Sequence, residues 1–210
     1  MDVHAPHKPI QSIKEFLVHL LAITIGLLIA LGLESTVEWV HHRHLARDAR
    51  ENIYQEYRAN QQDVLRQLSA LPDEDKHLDE ILSVIDSVQH GRSYKPIGGF
   101  HWTSILLRDS AWEAASSTGA IAFMDYDEVK RYSKLYAVQK FHSSTQQHYL
   151  EERHDMNVLL ECMQAAGKLS DAELESEKRT ILSEKLTIME LQELDSLLKD
   201  NYATLLSQEK

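Results

Sequence analysis

Two residue pairs have the spacing found in carboxylate-bridged metal bundles. Glu38 with His41 and Glu151 with His154 each set an acid and an imidazole three residues apart, on one face of a helix. A di-iron centre also needs two further inward carboxylates from other helices, and a chain with 33 acidic residues and 12 histidines produces such pairs by chance. His41, His42 and His44 form a tract that titrates near neutrality and reads as interfacial packing. Cys162 is the single cysteine, which excludes an internal disulfide and a multi-cysteine zinc site; sharing a helix face with Leu159 and Met163, it reads as an inert core thiol. Ser110, Ser116 and Ser117 stand in no Gly-x-Ser-x-Gly elbow, and no glycine-rich phosphate loop occurs. The expectation is therefore no catalytic residue, no cofactor and no bound metal.

Aromatic residues make the better candidate site. FHWTSILLRDSAWEAASSTGAIAFM, residues 100–124, is richer in apolar and aromatic side chains than the rest of the body. Trp102, Trp112, Glu113, Gly119, Tyr132 and Tyr136 group around a turn, and form the candidate partner or ligand surface. The plainer alternative is a bundle-end core filled by bulky rings.

Helices must carry these residues. Gly (7) and Pro (4) are scarce, and the unstrained helix formers dominate after residue 45. FLVHLLAITIGLLIALGL, residues 16–33, has twelve Phe, Leu, Ile or Val in eighteen positions and spans about 27 Å as a helix, close to the hydrocarbon thickness of a bilayer. Lys14 and Glu15 can snorkel and Trp39 suits an interface. A cleaved signal peptide with Ala30-x-Gly32 as its processing site is one alternative, and a buried core helix another. The helical pattern, however, continues through GLESTVEWVHHRHLARDA without a break. Ala22, Gly26 and Ala30, four apart, are the candidate transmembrane contact face. The division expected is a tail over 1–15, a transmembrane helix over 16–40 and a helical bundle over 41–210.

Within that bundle, Ile53, Tyr57, Asn60 or Gln61, Val64, Leu68 and Leu71 predict a helix that Pro72 ends. Leu78, Ile81, Leu82, Ile85 and Val88 predict a second over 73–90, stopped by Gly91. A short buried helix is expected from Trp102 to Ser117, closed by Gly119. Asp125 with Glu128, and Ser170 with Glu173, have the capping-box spacing and start two long helices, the first closed by Gly167 and the second carrying Leu174, Ile181 and Ile188 seven apart. The fold class expected is all-α: an N-terminal transmembrane helix continuous with an elongated antiparallel helical bundle.

Charge narrows the partners. Residues 1–50 carry five basic and five acidic side chains, so the net charge of -11 belongs to the body. An acidic body without a basic stripe repels phosphate backbones, and no nucleic acid is expected as a partner. Lysine and arginine flank the apolar run on both sides and nearly cancel as an orientation signal.

Thr24 to Glu34 with Trp39, and Trp112-Glu113 and Thr118-Gly119 followed by Tyr132 and Tyr136, resemble two patches of bacterial single-pass membrane proteins of uncharacterised function. That resemblance implies an inner-membrane anchor and a periplasmic body, and supplies no activity. From the sequence the expected role is a membrane-anchored scaffold or accessory protein acting through protein contacts, including self-association. A ligand-binding sensor and a metal-dependent bundle enzyme are the alternatives.

Overall fold

The computed structural model describes residues 12–95, 102–166 and 169–208, with the side chains of 15, 155–166 and 208 left aside. The Cys162 side chain, Gly167 and residues 96–101 therefore lie outside the described residues. Among those described, every regular element is helical: α1 (Ile13–Gln89), α2 (Ser110–Ser117), a 3-10 helix (Ala120–Phe123), α3 (Tyr126–Ala166) and α4 (Asp171–Gln208). The chain divides into two compact units, Met1–Asp48 and Ala49–Lys210.

The first unit holds the part of α1 that is long and apolar enough to cross a membrane, and none of that window is buried. Two of its threonines bond within the helix. Thr24 and Thr36 donate to the carbonyls of Leu20 (2.8 Å) and Gly32 (2.7 Å), which removes the cost of a bare hydroxyl in hydrocarbon. The Arg43 guanidinium lies 5.3 Å from the centre of the Trp39 ring. Ala22, Gly26 and Ala30 are all exposed.

In the second unit α1 corrects the sequence reading at Pro72, because it is one helix through that residue. The buried positions Tyr57, Asn60, Val64, Gln67, Leu71, Glu74, Leu78, Ile81 and Ile85 keep steps of three and four across the proline without a change of phase. An interior proline costs about 3 kcal/mol, whereas burying Leu78, Ile81 and Ile85 returns about 1.5–3 kcal/mol each, so continuity wins. Pro72→Ala restores an amide to the helix ladder and is expected to raise stability by about 2 kcal/mol, read as a higher denaturation midpoint.

The predicted helix over 102–117 is also half wrong. Residues 102–109 form no helix and only Ser110–Ser117 is helical. Ile105 and Leu107 are buried while Ser104 and Leu106 are exposed, the alternation of an extended strand. Gly119 then takes a left-handed φ of 75° where α2 closes, as its type predicted.

Both long C-terminal helices begin where the capping residues stand. Ser170 and Glu173 make the reciprocal box: Ser170 N–H donates to the Glu173 carboxylate at 2.7 Å and Glu173 N–H to Ser170 Oγ at 3.3 Å. At α3 only half of the box forms. Asp125 Oδ1 accepts from the amides of Asp127 and Glu128 at 2.9 and 3.3 Å, while the Glu128 side chain turns to Arg50 instead.

Cross-helix pairs fix the directions. Tyr57 meets Tyr132 and Tyr136, Gln67 bonds Gln146, and Glu74 meets Arg153, so the body part of α1 runs parallel to α3. Asp195 pairs with His142 and Glu184 with Arg153, so α4 runs antiparallel to α3. The extended segment supplies the return between the two parallel helices.

Candidate functional site

A polar ladder on α1 holds the extended segment in place. Glu74 accepts from Thr103 N–H at 2.7 Å, and Asn60 closes both ends of the Arg108 peptide, donating to its carbonyl at 2.8 Å and accepting from its amide at 2.9 Å. Glu56 accepts from Ala111 N–H at 2.9 Å and from Ser110 Oγ at 3.0 Å, so a carboxylate also anchors the start of α2. With no neighbouring strand to pair with, the segment takes side chains as its hydrogen-bond partners. Asn60→Ala strips two bonds from one backbone unit and is expected to cost about 1–3 kcal/mol, with faster hydrogen exchange at the Arg108 amide as the local readout.

This ladder sets one wall of an open groove of about 770 Å³ between the segment, α2 and α3. Trp112 lies stacked on Tyr136, 5.3 Å between ring centres and 19° between planes. Asp109, Glu113, Lys140 and four serines also line the groove. Behind Tyr136 the rings continue inward. Tyr57 sits 5.8, 5.4 and 5.6 Å from Tyr132, Tyr136 and Tyr202, and the Tyr136 hydroxyl donates to Glu56 at 2.6 Å. Burial holds the Tyr57, Tyr136 and Tyr202 hydroxyls well above the usual phenol range, so all three stay protonated.

The six residues singled out in the sequence are thus split. Trp112, Glu113 and Tyr136 meet at the groove. Tyr132 is buried one layer in and donates to Glu128 at 2.9 Å, and Gly119 serves the backbone turn that ends α2. Trp102 precedes Thr103 at the level of Glu74, about 27 Å along α1 from Glu56.

What the sequence did not disclose is a polar core. Gln67 with Gln146, His142 with Asp195 at 2.9 Å, and Glu74, Arg153 and Glu184 fill interior layers that an apolar pattern would assign to leucine. One ion pair illustrates how geometry sets charge. Burial raises Glu128, but two bonds from Arg50 at 2.6 and 2.9 Å and one from Tyr132 outweigh it and hold the carboxyl below its usual range. Among the described residues no three His, Cys, Asp or Glu side chains gather as a metal site. Glu151 and His154 are both exposed.

Compared with family models, curated proteins and solved structures, the chain matches none of them.

Proposed function

We propose that this protein is a membrane-anchored helical scaffold or accessory protein whose body works through protein contacts. The observation that carries the reading is α1 itself: its N-terminal window is apolar and wholly exposed, and the same helix later supplies a core-forming face of the bundle. An apolar helix of that length left uncovered by its own chain is stable in lipid and costly in water. The resemblance to bacterial single-pass proteins supports an inner-membrane anchor with the body in the periplasm. The acidity of the body argues for protein rather than nucleic-acid partners. Trp112 at the groove offers the aromatic character enriched at contact surfaces.

Two measurements test this. Reporter fusions after Lys210, active only in the periplasm or only in the cytoplasm, are expected to give periplasmic activity in the membrane fraction. Soluble product would sink the anchor, and cytoplasmic activity would reverse the orientation. A photo-reactive residue at Glu113 is then expected to yield a discrete adduct that Trp112→Ala abolishes. The groove also favours a second reading, a small-molecule sensor, under which a ligand raises the melting temperature of the wild type but not of Trp112→Ala.

A further inference from the structure

Midway along the bundle α1, α3 and α4 meet at four titratable side chains sealed from solvent: Glu74, Tyr149, Arg153 and Glu184, none more than 1% exposed. Arg153 is the one cation in the cluster. Its Nε contacts Glu184 Oε1, its Nη2 lies 3.6 Å from Glu74 Oε2, and Nη2 also donates to the Tyr149 hydroxyl at 2.8 Å. That hydroxyl donates onward to Glu74. Two carboxyl groups share one guanidinium, so with both ionised the interior would hold an uncompensated negative charge.

We infer that Glu74, Arg153 and Glu184 form a buried proton-binding site, whose proton latches α4 onto α1 and α3 and whose loss loosens α4 around Glu184. The proton belongs on Glu184. Glu74 accepts from Tyr149 at one oxygen and from Thr103 N–H at 2.7 Å at the other, so both its oxygens already have donors. Glu184 has only its share of Arg153, and its Oε2 makes no hydrogen bond among the described residues. Burial foremost, with Arg153 opposing and the charges of Glu152 and Glu74 adding, pushes Glu184 up to about 7.

Among the described residues, the other charged groups around it do not supply the missing cation. From α3, Glu152 is committed to α4 through Ser183 (2.6 Å) and Thr187 (2.8 Å), with His148 3.5 Å away on its exposed side. From α1, burial, partly opposed by Glu80 and reinforced by Arg153, holds His77 below the usual imidazole range. Lys185, next to Glu184 on α4, is occupied by Asp75 at 2.8 Å and Asp79 at 2.7 Å on α1.

The sign follows from linkage. An unfolded chain releases the Glu184 proton near 4.5 and the folded chain keeps it to about 7, so folding takes up a proton in that window. Through this group, stability is greatest at the low end, falls as pH rises to about 7, and is constant above. The inference stands whether or not the anchoring reading holds.

The test uses the full chain in detergent, with melting temperature and hydrogen exchange of α4 peptides, corrected for intrinsic rates, at about pH 5 and about pH 8. Wild type is expected to melt several degrees lower at the higher pH and to lose protection around Glu184. Glu184→Gln is expected to flatten both responses, while Asp195→Asn, a control at another buried acid, keeps the loss of protection at Glu184. An unchanged response in Glu184→Gln would overturn the proposal. Should that variant not fold, the wild type still decides. A protonated-carboxyl infrared band that titrates near neutrality, in step with α4 exchange, supports the site, and its absence at about pH 6 refutes it.

Discussion

Arg153→Ala is expected to remove about 3–5 kcal/mol of stability, because it leaves two carboxyl groups buried against each other without their shared cation. The electrostatic part of this loss adds to the cavity left by one of the largest fully buried side chains. Glu74 and Glu184 sit at 1% and 0% exposure and cannot reach water without opening the helices. The variant should therefore be rescued in part at low pH, where both acids are neutral, and further by adding Glu184→Gln. Arg153→Lys restores charge but not the fork that reaches Glu184, Glu74 and Tyr149 together, so partial recovery is expected. Denaturant midpoints across pH separate these outcomes, and equal losses at all pH values would mean that Arg153 acts by packing alone.

The second large effect is expected at Tyr57. Its ring is 1% exposed and is the hub against which Tyr132, Tyr136 and Tyr202 all rest. Tyr57→Ala opens a cavity among three rings and should cost about 3–5 kcal/mol, whereas Tyr57→Phe keeps the ring and costs far less. Because Trp112 is stacked on Tyr136, the cavity also undermines the groove wall. The fluorescence of Trp112 should then shift in Tyr57→Ala before global unfolding. A Trp112 spectrum identical to wild type would mean that groove and core are uncoupled.

Which parts of this architecture could be read in advance depends on the range of the forces that set them. The helix starts at Asp125 and Ser170 were legible because a cap binds amides two or three residues away. Pro72 misled for the converse reason. Its penalty is local, while the buried face that overrides it, Leu71 through Leu78 to Ile85, shows only when phase is followed across the proline. The extended run at 102–109 was illegible, since its anchors Glu56, Asn60 and Glu74 lie 29–55 residues away. The polar layers escaped for a related reason. Asn60 was noticed on a core face, but Gln67, Glu74, Gln139 and Gln146 look like solvated positions until a partner helix is placed opposite. At the groove, Trp112 and Tyr136 were found by type, and their separation from Trp102 was hidden by the helix wrongly expected between Trp102 and Ser110.

The parallel run of α1 and α3 has a consequence for how the chain assembles. Contacts between α3 and α4 near their connection bridge 31–35 residues, as at Glu152 with Ser183 and Thr187, whereas α1 meets α3 across 79 residues at Gln67–Gln146 and meets α4 across 89 at Gln89–Lys178. Long separations cost loop-closure entropy before any contact repays it. The α3–α4 hairpin should close first and α1 should dock last, although α1 leaves the ribosome earliest. Its core face, from Ile53 to Ile85, must then wait uncovered until the final helix has been synthesised.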